Sequence, residues 1–260
     1  MKNQIFTYLG DKMHGTCLVS ASETEQTFSL FHVCGLLGAN VPPHVHHNED
    51  EAFYVLSGTF DLQIGERRVS VEPGCAGFGP RDVPHAFTCT SERGELLVMT
   101  FPGGFEAFFT ALEAHGPLPV PPTPEDIEGF FALLGRFGMT PAAPLPEGTP
   151  IEALPVQAHP ERDYGNHRVS PKLLADETSQ ALFLREIHVD TGGGVLPQLP
   201  AREDETFYVL SGRFDFSIGE ATLEAGPGKC VYGPRGIAHT WRCTSPEGGR
   251  LLSYVTPKVP

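Results

Sequence analysis

The chain carries the same sequence twice, and this repeat constrains its fold more than any other feature. A shift of 154 residues places residues 49–58 (EDEAFYVLSG) on residues 203–212 (EDETFYVLSG) without a gap. The match continues downstream, where His85 falls on His239 and Cys89 falls on Cys243. Because self-similarity at a fixed period marks a repeated architecture, we expect two domains of the same fold.

Short strands joined by tight turns account for each copy. Residues 51–56 are apolar on both faces of a predicted strand, and Gly58 and Gly65 bracket a second short strand. The chain also holds 29 glycines and 25 prolines, which suit frequent turns. Regularly spaced short strands predict an all-β sandwich or barrel.

The segment between the copies differs in kind. Residues 104–114 carry apolar residues at helical spacing, and Thr123 followed by Pro124 is a strong helix start. We expect two short helices on the outside of a barrel, their aromatic residues serving packing rather than cofactor binding. A proline-rich stretch at 141–150 predicts a linker. The predicted domains are an N-terminal barrel, a helical and proline-rich connector and a C-terminal barrel, at residues 1–102, 103–150 and 151–260.

A cluster of metal-ligand residues follows the first predicted turn. His44 and His46 are two residues apart, so on a strand their imidazoles project from the same face. Glu51 begins the next apolar run, and His85 follows a turn-rich segment that makes it the natural fourth candidate. Imidazoles with a carboxylate suit a divalent transition metal, which we expect to be Fe, Mn, Ni, Cu, Co or Zn.

The glycine and proline positions around these residues resemble the two sequence motifs of the cupin superfamily. That resemblance implies two double-stranded β-helix (jelly-roll) barrels and one divalent metal held by His44, His46, Glu51 and His85. One departure is Cys89, which stands where the second motif often has asparagine. Since that position is not a ligand in the family, the metal prediction is unaffected.

The second copy has lost half of the candidate ligands. His44 falls on Gln198 and His46 on Pro200, and proline offers no side-chain ligand. We therefore expect a degenerate C-terminal site that holds no stoichiometric metal. The retained glutamate and histidine are predicted to survive as a buried, hydrogen-bonded pair, Glu205 with His239.

Other polar residues near the motif receive weaker interpretations. His47 should point to the opposite face from His46, as a solvated or supporting side chain. Glu49 could hydrogen-bond a ligating imidazole, but its counterpart Glu203 is kept where no metal is expected, which favours a structural role. The remaining histidines lack partners at ligand spacing and receive no role: His14, His32, His115, His159, His167 and His188.

The motif details are similar to quercetin 2,3-dioxygenase-like bicupins. That similarity implies dioxygen-dependent cleavage of a flavonol or related enolic aromatic ring, with loss of carbon monoxide. The substrate hydroxyl would bind the metal, and Glu51 would take its proton as the catalytic base. Two alternatives stay open: a non-oxidative metal-dependent isomerase or cyclase, and a metal-containing binding protein without catalysis.

Charge and composition limit the partners and the compartment. The net charge of −14, with no local cluster of basic residues, argues against nucleic-acid binding. The sequence shows no signal peptide and no run long enough to span a bilayer, so a cytoplasmic protein with no membrane partner is expected. The six cysteines are expected to be small buried hydrophobes rather than disulfides or zinc ligands. A monomer and a homodimer are both compatible with the sequence.

Overall fold

A computed structural model describes residues 5–8, 12–156, 159–195 and 202–256. The chain divides into two compact units, Met1–Val156 and Gln157–Pro260. The predicted all-β class is confirmed, since strands dominate both units and the two α-helices among the described residues belong to the connecting segment. The domain limits given by the sequence stay a prediction.

The first unit is built from two six-stranded sheets. In the order of hydrogen-bonded neighbours they are β1-β2-β3-β10-β5-β8 and β11-β4-β9-β6-β7-β12. Most neighbouring strands are distant in sequence, and among the described strands hairpins join only β1 to β2, β2 to β3 and β6 to β7, which is consistent with a jelly-roll arrangement. The strands are β1 Ile5–Tyr8, β2 Met13–Val19, β3 Ser29–Leu36, β4 Asn40–His46, β5 Asp50–Ser57, β6 Phe60–Ile64, β7 Arg67–Val71, β8 Ala76–Gly79, β9 His85–Cys89, β10 Arg93–Phe101, β11 Met139–Pro141 and β12 Ile151–Ala153.

Side chains from both sheets join one core cluster in this unit. Along β6 the buried residues Phe60 and Leu62 alternate with more exposed neighbours, the period-2 pattern of a strand covered on one face. Phe53 and Val55 of β5 come from the other sheet and join the same cluster. Burial of each such side chain contributes about 1.5–3 kcal/mol, so the two sheets are held together mainly by this core.

The connecting segment is more closely joined to the first unit than its sequence predicted. Helices α1 (Glu106–His115) and α2 (Pro124–Arg136) form where expected, and Thr123 caps α2 by accepting a hydrogen bond from the Asp126 amide. Phe105 and Phe108 are buried in the core cluster of the first unit. Beyond the helices, β11 pairs with β4 and β12 pairs with β7. The predicted linker is therefore flanked by two edge strands of the first unit.

The second unit contains a six-stranded sheet in the order β13-β14-β15-β21-β16-β19 and a three-stranded sheet in the order β18-β17-β20. The segment equivalent to most of β4 falls on residues 196–201, outside the described residues, and Gln198 and Pro200 are among them. The strands are β13 Arg162–Asp163, β14 His167–Leu173, β15 Phe183–Val189, β16 Asp204–Ser211, β17 Phe214–Ile218, β18 Ala221–Ala225, β19 Cys230–Gly233, β20 His239–Cys243 and β21 Gly249–Thr256.

Two further expectations concern the whole chain. All six cysteines are free thiols, and all but the half-buried Cys230 are buried. Among the described residues, neither helix has the length and apolar character needed to cross a bilayer.

Candidate metal centre

Three strands of the first unit bring the four predicted site residues together. His44 and His46 lie on β4, Glu51 lies on β5, and His85 is the first residue of β9. Strands β4 and β9 are antiparallel neighbours, and His44 is directly opposite His85. One nitrogen of each imidazole and one carboxylate oxygen of Glu51 all lie within 4.8 Å of one another. The tertiary structure thus converges residues that are separated by up to 41 positions in the sequence.

Two distances within this cluster match the ligand separations of a coordination shell. His44 Nε2 lies 3.1 Å from His46 Nε2, and His85 Nε2 lies 3.2 Å from Glu51 Oε2. Ligands bound at about 2.0–2.2 Å and separated by angles between octahedral and tetrahedral values are about 2.9–3.4 Å apart. The rings of His46 and His85 are parallel, with their centroids 5.3 Å apart. A single cation between these atoms would reach all four.

The outer nitrogen of every imidazole is occupied by an acceptor. The Nδ1 contacts are to Pro42 O at 2.9 Å for His44, to Glu49 Oε2 at 3.3 Å for His46 and to Val83 O at 3.0 Å for His85. A carbonyl or carboxylate oxygen can only accept, so the proton of a neutral ring is drawn to Nδ1. The Nε2 lone pair then faces the centre of the cluster, the tautomer that a metal ligand needs.

The residues present fit a bound metal ion. His85 Nε2 is fully buried and has no hydrogen-bond partner, a state that costs free energy unless another group satisfies it. His44 Nε2 and His46 Nε2 face each other with no proton between them when both rings carry theirs on Nδ1. A cation bound by these lone pairs would remove both penalties.

The protonation states of His44 and Glu51 suit metal binding. Burial and the neighbouring imidazoles of His85 and His46 lower the pKa of His44 to about 3. Burial alone would raise the pKa of Glu51, but its interaction with His85 and the other two imidazoles outweighs burial and lowers it. Near neutral pH His44 is therefore uncharged and Glu51 is ionised, the forms in which both groups bind metals.

Residues next to the cluster hold the candidate ligands in place. A Cβ atom at Gly79 would lie 3.0 Å from His85 Nδ1 and 3.1 Å from its Cγ, so only glycine lets this ring pack on β8. Beside Glu51, Asp50 accepts hydrogen bonds from the backbone amide and guanidinium of Arg81, with Arg81 Nη2 2.6 Å from Asp50 Oδ2. This pair joins β5 to the turn that precedes His85. Phe105 contacts the His46 ring at a centroid distance of 4.8 Å.

Two neighbouring residues differ in how well the sequence predicted them. His47 is turned away from the cluster and contacts Asp82 Oδ1 at 2.6 Å and Thr140 Oγ1 at 3.1 Å, as a supporting side chain would. Glu49 was assigned a structural role, whereas its carboxylate contacts Nδ1 of His46. The alternative interpretation, a carboxylate that orients a candidate ligand, is the one that the geometry favours.

In the second unit the retained pair is joined by a residue that sequence reasoning missed. His239 Nε2 lies 3.3 Å from Glu205 Oε2, so the predicted hydrogen-bonded pair is present, although both side chains are partly accessible. Arg185 on β15 donates from Nη2 to Glu205 Oε1 at 2.6 Å, and the Ser253 hydroxyl bonds to the same oxygen. The sequence offered one signal for it, because the repeat places the charged Arg185 where the first copy has the apolar Phe31. Its guanidinium places a fixed positive charge beside the carboxylate.

The strand arrangement and the cluster of three histidines and one glutamate define an all-β jelly-roll protein with a candidate metal site. The sequence profile described as "Cupin domain" matches residues 36–101 and 185–255, together more than half of the chain. The chain therefore belongs to the cupin family and is a bicupin, as its sequence motifs predicted.

Two curated proteins are similar in sequence. An uncharacterized protein of Streptomyces coelicolor is 33% identical over 89 residues, which are 32% of this chain and 84% of that protein. Quercetin 2,3-dioxygenase of Bacillus subtilis is 25% identical over 103 residues, which are 40% of this chain but only 30% of that protein. The chain thus spans less than a third of the dioxygenase that it matches.

Solved structures with the same fold include oxalate decarboxylases. The oxalate decarboxylase of Bacillus subtilis aligns with a TM-score of 0.69 at 18% identity, and the alignment covers 99% of this chain and 77% of the decarboxylase chain. The oxalate decarboxylase of Lactobacillus farciminis aligns with a TM-score of 0.71 at 14% identity, and the alignment covers 100% of this chain and 87% of the decarboxylase chain. The Bacillus enzyme holds Mn(II) centres. At these identities the likeness shows the fold alone.

Proposed function

We propose that His44, His46, Glu51 and His85 hold one divalent transition metal, and that the protein is a metal-dependent enzyme which cleaves a flavonol or related enolic aromatic ring with dioxygen. The observation that carries this proposal is the convergence of three Nε2 atoms and one carboxylate oxygen within 4.8 Å of one another. A set of three nitrogens and one oxygen accepts Fe, Mn, Ni, Cu, Co or Zn.

Glu51 is the residue that moves the proton. A bound divalent cation lowers the pKa of a hydroxyl group that joins its coordination shell and leaves positions for substrate and dioxygen. The Glu51 carboxylate is ionised and lies at the centre, so its oxygen is placed to take the hydroxyl proton. His44, His46 and His85 then serve as nitrogen ligands whose orientation is set by acceptors at Nδ1.

The similarity to a known enzyme supports the substrate class. Quercetin 2,3-dioxygenase of Bacillus subtilis matches 40% of this chain at 25% identity. Phe105 and Phe53 border the His46 and His85 rings, and both are buried in the core cluster of the first unit, so they pack the site and are not assigned to the substrate.

Metal analysis is the first test. Purified wild-type protein, dialysed against a weak chelator, is expected to retain about one transition metal per chain, and His46→Ala near none. His47→Ala is the matched control, since His47 neighbours His46 but faces away, and it should retain the metal. Equal metal content in wild type and His46→Ala would overturn the proposed site.

Oxygen uptake is the second test. Metal-loaded protein given quercetin should consume dioxygen and release carbon monoxide, and His46→Ala should do neither. Conversion of an enolic substrate without oxygen uptake would instead establish the isomerase or cyclase alternative. Saturable binding of quercetin without any product would leave a metal-containing binding protein.

A further inference from the structure

A second group of metal-ligand residues lies in the first unit away from the proposed centre. His32 and Cys34 occupy positions i and i+2 of β3 and so share a face, and Glu95 of β10 is directly opposite Cys34. His32 Nε2 lies 3.0 Å from Glu95 Oε2 and 3.8 Å from Cys34 Sγ. One ligand atom from each residue lies within 4.8 Å of the others. The expectation that His32 has no partner at ligand spacing was therefore wrong.

These separations match the edges of a tetrahedral zinc site. With Zn–N and Zn–O near 2.1 Å and Zn–S near 2.3 Å, a tetrahedron has N···O edges of about 3.4 Å and N···S edges of about 3.6 Å. The observed 3.0 and 3.8 Å require shifts of only a few tenths of an ångström. We propose that His32, Cys34 and Glu95 form a second site for a thiophilic divalent cation such as Zn²⁺, with water as the fourth ligand.

The accessibility of the group suits an exchangeable ion. The side chains of His32 and Glu95 are 26% and 27% exposed, while Cys34 is buried beneath them. Arg93 Nη2 contacts Glu95 Oε1 at 3.2 Å, which leaves Oε2 directed toward His32. The site has three protein ligands with partly accessible side chains, whereas the centre has four, so it binds more weakly than the centre. Metal binding must also release the thiol proton to solvent, so the affinity falls further in acid.

The second unit provides an internal comparison at the same place in its sheet. By strand pairing, Glu186 and His188 of β15 and Arg250 of β21 stand where His32, Cys34 and Glu95 stand in the first unit. Arg250 Nε donates to Glu186 Oε1 at 2.7 Å, and His188 Nε2 lies 3.0 Å from the same oxygen. There the guanidinium supplies the positive charge. In the first unit the equivalent position is the Glu95 carboxylate, whose Oε1 contacts Arg93 and whose Oε2 faces the imidazole of His32.

Cobalt(II) distinguishes this site from the proposed metal centre. A thiolate ligand produces a sulfur-to-cobalt charge-transfer band in the near ultraviolet, and the four residues of the centre include no cysteine. Apo wild-type protein titrated with Co²⁺ should bind about two equivalents. The charge-transfer band should appear as the more weakly bound equivalent is taken up. His46→Ala should lose about one equivalent and keep the band. Cys34→Ser should lose the band and keep the tighter equivalent.

Matched variants keep the test decisive. Cys230→Ser, at the half-buried cysteine of the second unit, should retain the band. If Cys34→Ser fails to fold, His32→Gln, at a more accessible position, should weaken the band-forming equivalent at least tenfold. A titration without a charge-transfer band, or a band that survives Cys34→Ser, overturns the second site. Neither result bears on the centre, whose occupancy is reported by His46→Ala.

Discussion

Arg185 Nη2 lies 2.6 Å from Glu205 Oε1 in the second unit, at the position in the repeat where Glu51 faces three imidazoles in the first. The same carboxylate is also bonded by His239 and Ser253. Together they lower the pKa of Glu205 to about 2, against burial that would raise it. A protein cation thus stabilises the carboxylate of the second unit, and we propose that a metal ion does so in the first.

We predict that Arg185→Leu destabilises the second unit by about 2 kcal/mol near neutral pH. Breaking a buried ion pair costs roughly 3–5 kcal/mol, and here His239 and Ser253 remain bonded to Glu205. Denaturant unfolding monitored on the second unit checks the value. Arg213→Leu, at an exposed position of the same unit, is the control and should unfold like wild type.

The ion pair between Arg185 and Glu205 also predicts how the stability of the second unit depends on acid pH. The folded pKa of Glu205, about 2, lies below its ordinary value of 4.5, so the linked stabilisation is fully present above pH 4.5. It is lost as the pH falls toward 2, and it amounts to about 3 kcal/mol at 1.36 kcal/mol per pKa unit. In Arg185→Leu the pKa of Glu205 should rise, giving a smaller loss of stability over this interval. An unchanged slope of unfolding free energy against pH would contradict the assignment.

We predict that Gly79→Ala weakens metal binding at the proposed centre by at least tenfold. The added methyl group would lie 3.0 Å from His85 Nδ1, so the ring must move away from its position opposite Glu51. Metal content after dialysis and competition with a chromophoric chelator measure the loss. Gly233→Ala makes the equivalent clash with His239 in the second unit and should leave the metal in place. Equal loss in both variants would point to general destabilisation instead.

We predict that Glu51→Gln lowers kcat by about 10²–10⁴-fold even when the metal is supplied in excess. An amide oxygen can still contact the cation but cannot take the substrate proton. Steady-state turnover, normalised to bound metal, separates this effect from loss of affinity. Glu51→Asp keeps the charge on a shorter side chain and should recover part of the rate. Full activity in Glu51→Gln would remove this residue from the proposed chemistry.

We predict that Glu49→Gln reduces metal affinity by about 10–100-fold. Its carboxylate contacts Nδ1 of His46, and acceptors of this kind orient the ring and raise its basicity. The amide can rotate to offer its oxygen, but without a charge. Isothermal titration with Mn²⁺ checks the prediction. Glu203→Gln, the counterpart in the repeat, should change nothing, and a matching loss there would restore the purely structural role.

The sequence by itself determined the features that depend on local geometry. Two identical patterns of strands and turns require two copies of one fold, and the i, i+2 spacing of His44 and His46 directs both imidazoles to one face. The helix start at Thr123-Pro124 is equally local, since a side-chain cap and a fixed φ act within one turn. These relationships span a few residues and so can be predicted without coordinates.

Only the tertiary structure decided which distant side chains meet. Arg185 reaches Glu205, Glu95 lies opposite Cys34, and β11 adds to the edge beside His46. Each of these contacts depends on strand order and register, which are set by how the whole sheet pairs and where its core is buried. A shift of one residue in a single strand would turn each side chain to the other face. The pattern along one strand cannot report that choice, because it carries no information about the neighbour across the sheet.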